Sequence, residues 1–345
     1  MTLLRNSSSV ILKNVSKLIE EKLPSSRRDH VEQFASILFE NLSKHDLEKR
    51  IDVELYGAAL SLFNAFNETT CDEPYIRVFN PELGKNGWES EHTIVQIVVK
   101  DLPFLVDSVR MALNRSNITS HLLIHTPIKV NRNKAGEVTE FINLKSEQTA
   151  SHKQTVFLIE IDRQADAKSI AKLKNELSAV IADVSVAVED WKPTQKKLEQ
   201  CIADAAKSKQ ADPDTLAANI EFLKWVSNHN FTLMGYREYK VNAVEGDTEI
   251  VPVEETSLGL MKNRAGKARM LSTLSNAARA EALSNNILVL TKTGSKSTVH
   301  RPAYIDYLGI KQFDKNGKVV GEHRFVGLYG AEFYNSSVRD IPLLN

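Results

Sequence analysis

The stretch His92-Thr-Ile94-Val95-Gln-Ile97-Val98-Val99-Lys100, continuing through Asp101-Leu102-Pro103 into Phe104-Leu105-Val106-Asp107-Ser108-Val109, decides the fold. An apolar, β-branched run of that length reads as a strand buried on both faces. Asp-x-Pro is a turn and a helix start. Leu105, Val106, Val109, Ala112 and Leu113 then recur at helical spacing. Downstream, 120–130 is β-rich, and the polar turn 131–136 closes a hairpin. Thr155 to Ile161 reads as a third strand. Ile170, Leu173, Leu177, Val180, Ile181 and Val184 mark a second helix, and Ser185-Val-Ala-Val-Glu189 reads as the last strand. The order β-α-β-β-α-β is the ferredoxin-like, split-βαβ pattern. It predicts a four-stranded sheet over 92–191 with two helices on one face.

On the N-terminal side, three apolar stripes predict helices over 8–67. They are Ile11, Val15, Leu18 and Ile19; then Val31, Phe34, Leu38 and Leu42; then a wider one from Ile51 to Phe66. Their plain reading is a helical cap packed on the next domain or on a partner subunit. Tyr75 to Phe79 fits an edge strand. On the C-terminal side a helix over 193–210 carries Leu198, Ile202 and Ala205. Asp212-Pro213 starts another, with Asp as N-cap and Pro at the first helical position. Phe231 to Val241, Glu249 to Val253, 286–291, Tyr304 to Phe313 and Lys318 to Tyr329 read as strands. Asp314-Lys-Asn316-Gly317 is the strongest hairpin signal in the chain. Residues 257–286 are ambiguous and partly helical in pattern.

The bulk numbers narrow the class. The 345 residues hold 44 Lys+Arg against 44 Asp+Glu, so no broad basic field invites nucleic acid or an anionic membrane. No window reaches the roughly 18 apolar residues of a membrane span. The strands lack the exposed aromatics of an RNA-binding sheet. Cys71 and Cys201 lie far apart in no metal-type spacing, which suits a reduced, cytoplasmic protein. No partner among nucleic acids or membranes is expected.

The residue chemistry is sparse. The 14 glycines include no Gly-x-Gly-x-x-Gly for a dinucleotide, no phosphate loop and no Gly-x-Ser-x-Gly turn. Three groupings stand out. Asp101 and Pro103, with Asp107 and Ser108 in the following turn, sit at a helix N-terminus, a place where a ligand carboxylate can meet backbone amides and Asp101 can meet an amine. The structural alternative is that Asp101 and Pro103 only start the helix. His300, Arg301 and Arg324 are candidates for an anion site, set against ordinary salt bridges. His121 and His125 share a strand face, which suggests two metal ligands, but no third is evident and no metal is expected.

At this point longer blocks enter. Asp101-Leu-Pro-Phe-Leu-Val-Asp-Ser-Val109 resembles the first-domain signature of the large bacterial NAD-specific glutamate dehydrogenases. Asn230-Phe-Thr-Leu-Met-Gly-Tyr-Arg-Glu-Tyr239, Ser297-Thr-Val-His-Arg-Pro-Ala-Tyr-Ile-Asp-Tyr307, Arg324-Phe-Val-Gly-Leu-Tyr329 and Arg339-Asp-Ile-Pro-Leu-Leu344 resemble further family blocks in the same order. The resemblance runs from about residue 30 to the end. It implies an N-terminal piece of a longer chain, with ACT-type regulatory domains ahead of a domain that deaminates glutamate to 2-oxoglutarate with NAD. The catalytic lysine and NAD-binding glycines of the family map to none of these positions. ACT domains that bind amino acids usually carry glycine after Asp-x-Pro; here Phe104 stands there.

The fold class expected is therefore α+β: an N-terminal helical region (1–70), a first ACT-like ferredoxin-like domain with a trailing helix (71–208), a second, strand-rich ACT-like domain (212–338) and the start of a further element (339–345). The function expected is that of a regulatory and assembly segment, itself inactive, of a cytoplasmic homo-oligomeric enzyme with an amino-acid effector. The alternative is a free-standing ACT-type amino-acid sensor, which the length of the native reading frame distinguishes. Edge strands need pairing or cover, so self-association through the first ACT-like domain is also expected, with Ser185–Glu189 as its exposed edge and the helix from Ile51 to Phe66 as a rival cover.

Overall fold

The computed structural model describes residues 9–69, 73–208, 212–330 and 342–343. By internal contacts the chain divides into two units, 1–181 and 182–345.

The first unit opens with helices α1 (Val10–Lys22), α2 (Ser25–Phe39), the short α3 (Lys44–Glu48) and α4 (Asp52–Glu68). There follow β1 (Tyr75–Phe79), the single turn α5 (Leu83–Asn86), β2 (Thr93–Lys100), α6 (Leu105–Arg115), β3 (Ser120–Arg132), β4 (Val138–Ile142), β5 (His152–Ile161) and the part of α7 (Ala167–Glu189) that runs to Ile181, the rest of that helix counting with the second unit. The strands form one five-stranded sheet in the order β1-β2-β5-β3-β4, antiparallel throughout. β2 is buried on both faces, as its predominantly apolar, β-branched run requires, with Gln96 the buried polar residue within it. The expected helical cap packs on this sheet: Val15, Ile19, Phe34, Leu38, Leu62 and Phe66 share one core with Ile94, Val98, Ile124, Val130, Val156 and Leu158.

One expected strand is corrected. Ser185–Glu189 is the last part of α7, not a strand. Its Val-Ala-Val alternation mimics a strand, but Val180, Ile181, Val184 and Ala187 continue a buried helical stripe. No Gly or Pro interrupts 167–189 to stop the helix. The sheet edge beside β2 is taken instead by β1, which pairs with β2 from Tyr75↔Val98 to Phe79↔Ile94. The unit therefore draws its edge strand from ahead of the βαββα core rather than from behind it. Self-association through Ser185–Glu189 as a strand edge falls with that strand.

The second unit contains α8 (Trp191–Ala205), α9 (Pro213–Trp225), β6 (Phe231–Val244), β7 (Asp247–Gly259), β8 (Arg269–Met270), α10 (Asn276–Leu283), β9 (Leu288–Lys296), β10 (Tyr304–Phe313) and β11 (Val319–Tyr329). Asp212 caps α9, its carboxylate accepting from the Thr215 amide at 3.1 Å. The six strands form a second antiparallel sheet, β8-β7-β6-β11-β10-β9. The Asp314–Gly317 turn joins β10 to β11, with Gly317 at φ 81° where a Cβ is disfavoured. Leu198, Ile202, Phe222 and Leu223 of the helices share a core with Tyr236, Leu308, Ile310 and Phe325. The ambiguous 257–286 region holds the end of β7, the short β8, one 3₁₀ turn at Leu271–Thr273 and α10. Of the Arg339–Leu344 block, only 342–343 fall among the described residues.

Candidate functional site

The turn between β2 and α6 is built around Asp101. Its amide donates to the Lys153 carbonyl at 3.1 Å, which carries the sheet one residue past β2. Its carboxylate accepts from the Thr155 hydroxyl at 2.6 Å and pairs with the Lys153 ammonium. Asp101 thus ties the turn to β5. Pro103 and Asp107 are exposed, whereas Ser108 is fully buried. Phe104, the residue before α6, sits at φ 68°, ψ −3°. That is the left-handed region a glycine enters freely and an aromatic residue rarely does. The turn keeps the glycine-type backbone while carrying a phenyl side chain. Sequence alone signalled a substitution at Phe104, but not that the backbone had been preserved beneath it.

His121 and His125 do not act as a pair. The β3–β5 register shifts between Ser120 and Leu122, so His121 is an extra, bulged residue and strand alternation breaks there. His121 stacks on His92 with ring centroids 4.4 Å apart and meets Asp162 at 2.8 Å. Both rings line a cavity of about 490 Å³ with Arg50, Glu54, Glu91 and Glu160. Burial raises the Glu54 carboxyl above its ordinary value, and the charges of Glu160 and Glu91 add to this. His125 packs on Phe157 at 5.0 Å. Burial lowers its pKa, against the pull of the nearby Asp101 charge. Among the described residues no group of three or more His, Cys, Asp or Glu has an arrangement that could hold a metal.

Of the expected anion site, Arg324 is separated from His300 and Arg301. Arg301 donates to the Tyr329 carbonyl at 2.6 Å at the end of β11, and His300 lies beside it in the β9–β10 loop at φ 71°. Arg324 lies five residues before Tyr329 on β11, about 17 Å away at strand rise. Its Nε and Nη2 both donate to Glu322 at 3.0 Å, and its guanidinium lies 3.8 Å from the Tyr239 ring. The Tyr307 hydroxyl donates to the same Glu322 carboxylate. Gly309 leaves the space that this carboxylate occupies. Burial drives the Tyr307 phenol well above its ordinary pKa, so it remains a donor. Arg324 is held by stacking and a shared carboxylate within the sheet.

Two cations and one histidine escaped the sequence reading. Arg237 is 2 % exposed; it donates to the Ser257 hydroxyl at 2.7 Å, to the carbonyls of Met261 and Arg264, and pairs with Glu254 at 2.8 Å. Lys311 binds the Glu281 carbonyl and both oxygens of Ser284. These two side chains pin the irregular 257–286 segment to the sheet by its own backbone. His323 bridges Tyr236 and Gln312, each at 2.8 Å, beside the buried Cys201. Burial pushes the Cys201 thiol up to about 12, which makes it unreactive. Only the alternation of polar residues inside otherwise apolar strands hinted at this polar interior.

The antiparallel sheet, with α6 crossing from β2 to β3 and the Asp-x-Pro turn between them, is consistent with an ACT-type domain. Residues 34–177 match the family described as glutamate dehydrogenase, ACT1 domain. The chain is 34% identical over 313 residues to an NAD-specific glutamate dehydrogenase of Pseudomonas aeruginosa, covering 90% of this chain and 19% of that protein. It is 30% identical over 339 residues to the protein of the same name from Halomonas elongata, covering 97% and 21%. With that of Mycobacterium tuberculosis it shares 26% over 255 residues, 73% of this chain and 15% of the other. The chain is similar to NAD-specific glutamate dehydrogenases, with an ACT1-type match over 34–177, and it spans about a fifth of the length of the Pseudomonas aeruginosa and Halomonas elongata proteins.

Proposed function

We propose that this chain is the regulatory and assembly segment of an NAD-dependent glutamate dehydrogenase, a cytoplasmic homo-oligomer that oxidatively deaminates glutamate. The observation that carries the reading is the ACT1 match over 34–177, coinciding with a sheet whose β2–α6 turn keeps the glycine-type backbone at Phe104. NAD belongs to a different part of such an enzyme. The strand–turn–helix of this unit has Asp101-Leu-Pro-Phe104 where a dinucleotide needs glycines, and its Asp101 carboxylate would face the pyrophosphate. No catalytic step is therefore assigned to these residues. For an amino-acid effector, the exposed Pro103 and Asp107 form the accessible lip of the turn. Asp101 braces it and Ser108 lies beneath it.

The test is removal of residues 1–345 from the parent enzyme. The expected result is an altered response of NAD reduction to amino-acid effectors and an altered oligomeric mass, both read on the purified enzyme. An unchanged effector response together with an unchanged mass would overturn the assignment.

A further inference from the structure

We propose that a cavity in the first unit binds a small organic oxyanion, a carboxylate or phosphate group held by Arg77. The proposal goes beyond the regulatory reading and stands without it. The cavity measures about 460 Å³ and lies between α4, β1, the end of α1 and the segment that carries Trp88. That volume suits a metabolite-sized ligand.

The walls are unlike the rest of the molecule in charge. Lys22, Arg77 and Lys85 line the cavity against one carboxylate, Glu68, in a chain whose formal net charge is zero. Lys85 is held by Glu82 at 2.7 Å. Arg77 is not: its guanidinium lies 3.8 Å from the Phe79 ring, and among the described residues it takes no carboxylate. Lys22 likewise rests over Tyr56, 5.6 Å from the ring centre. An arginine stacked on an aromatic face is oriented with its fork of N–H donors still open, the geometry that accepts two oxygens of one carboxylate or phosphate.

The second observation is independent of charge. Trp88 is 3 % exposed and its Nε1 is buried with no hydrogen-bond partner. Trp88 lines the cavity, but its Nε1 has almost no accessible surface, so the indole reports on a ligand there rather than donating to it. The chain accommodates this indole closely: a Cβ on Gly57 would collide with the Trp88 ring, so α4 carries glycine, a poor helix former, at the contact. Three cations against the single Glu68 carboxylate favour an anion over an ammonium. The site exists because β1 replaces the expected trailing strand, which places Arg77 on the half-buried face of the sheet edge while Ile76 and Val78 bury the other face.

The experiment is indole NMR on the ¹⁵N-labelled 345-residue chain, titrated separately with succinate and with inorganic phosphate. Trp88→Phe assigns the resonance; Trp191 and Trp225 serve as internal controls. Saturable movement of the Trp88 signal with a Kd of about 1 mM or tighter is expected, with the control signals still. Arg77→Ala weakens it at least about tenfold, and Arg77→Lys restores part. Response to succinate alone identifies a carboxylate ligand, and response to phosphate alone a phosphate-bearing one. If Arg77→Ala disturbs folding, Lys22→Ala, at an exposed position, carries the same comparison. A Trp88 signal unmoved by both anions, or one whose movement ignores the cation substitutions, overturns the site.

Discussion

Arg50 and Glu160, 110 residues apart in sequence, form a two-pronged ion pair: Nε donates to Oε1 at 3.0 Å and Nη2 to Oε2. Arg50 also donates to the Asp46 carbonyl at 2.7 Å. It thereby fastens the start of α4 to β5, the middle strand of the ACT-type sheet. Both side chains are largely buried, at 10 % and 15 % exposure, so the pair is not a solvent-screened surface contact. Arg50→Ala is expected to destabilise the first unit by about 2 kcal/mol. The check is hydrogen exchange of the β5 amides. Exchange rates unchanged from the wild type would contradict the fastening role.

At Phe104 the backbone and side chain disagree. A residue in the left-handed region with a Cβ is strained by about 1–2 kcal/mol. Both Phe104→Gly and Phe104→Ala lose the phenyl ring, so their difference isolates the backbone. The glycine variant is expected to be the more stable by about 1 kcal/mol, the reverse of the ordinary order outside this region. Denaturant titration of the two variants reads the difference, and an alanine variant of equal or greater stability would show that the turn does not hold φ 68° in solution.

Arg237 holds the 257–264 segment by side-chain and backbone oxygens. Arg237→Met fills similar space but leaves buried acceptors without a donor, at a cost on the order of 3 kcal/mol. Limited proteolysis is expected to cut first within 257–286 in this variant and elsewhere in the wild type. An unaltered cleavage order would assign the segment's hold to other contacts.

His323 sets a pH dependence. Burial lowers its pKa, and Lys197 lowers it further, while Glu238, Asp204 and Glu322 pull the other way. The unfolded chain, with His near 6.5, therefore takes up a proton before the folded chain does. Stability from this group is complete above about pH 6.5 and declines as pH falls from there toward the folded value. His125 acts in the same sense. Glu54, whose pKa is raised, acts oppositely just above its ordinary range. The melting temperature is expected to drop between about pH 7.5 and pH 5.5 and to drop less in His323→Gln. A variant as pH-sensitive as the wild type would remove His323 from the account.

The parts of the fold that were legible carried strong, local signals. The β-branched Ile94–Val99 run, the Asp212-Pro213 start and the Asp314–Gly317 turn all specify their elements within a few residues, and all formed as read. Ser185–Glu189 failed because a short β-branched alternation is compatible with a helix when the residues before it already bury a helical stripe. Tyr75–Phe79 reads as an edge strand and is one; that it pairs with β2 in place of the expected trailing strand depends on distant pairing, not on the five residues themselves. The site was less legible still. Asp101 was found from its turn, but its engagement by Thr155 and Lys153 depends on β5, some fifty residues away. His121 and His125 were parted by a bulge that their spacing could not show.

The central claim is that these 345 residues serve regulation and assembly and perform no dehydrogenase chemistry themselves. The direct measurement is NAD reduction by the purified chain in the presence of glutamate. The predicted result is a rate equal to that of a no-protein control at every glutamate concentration. Turnover above that control, proportional to the amount of chain added, would contradict it.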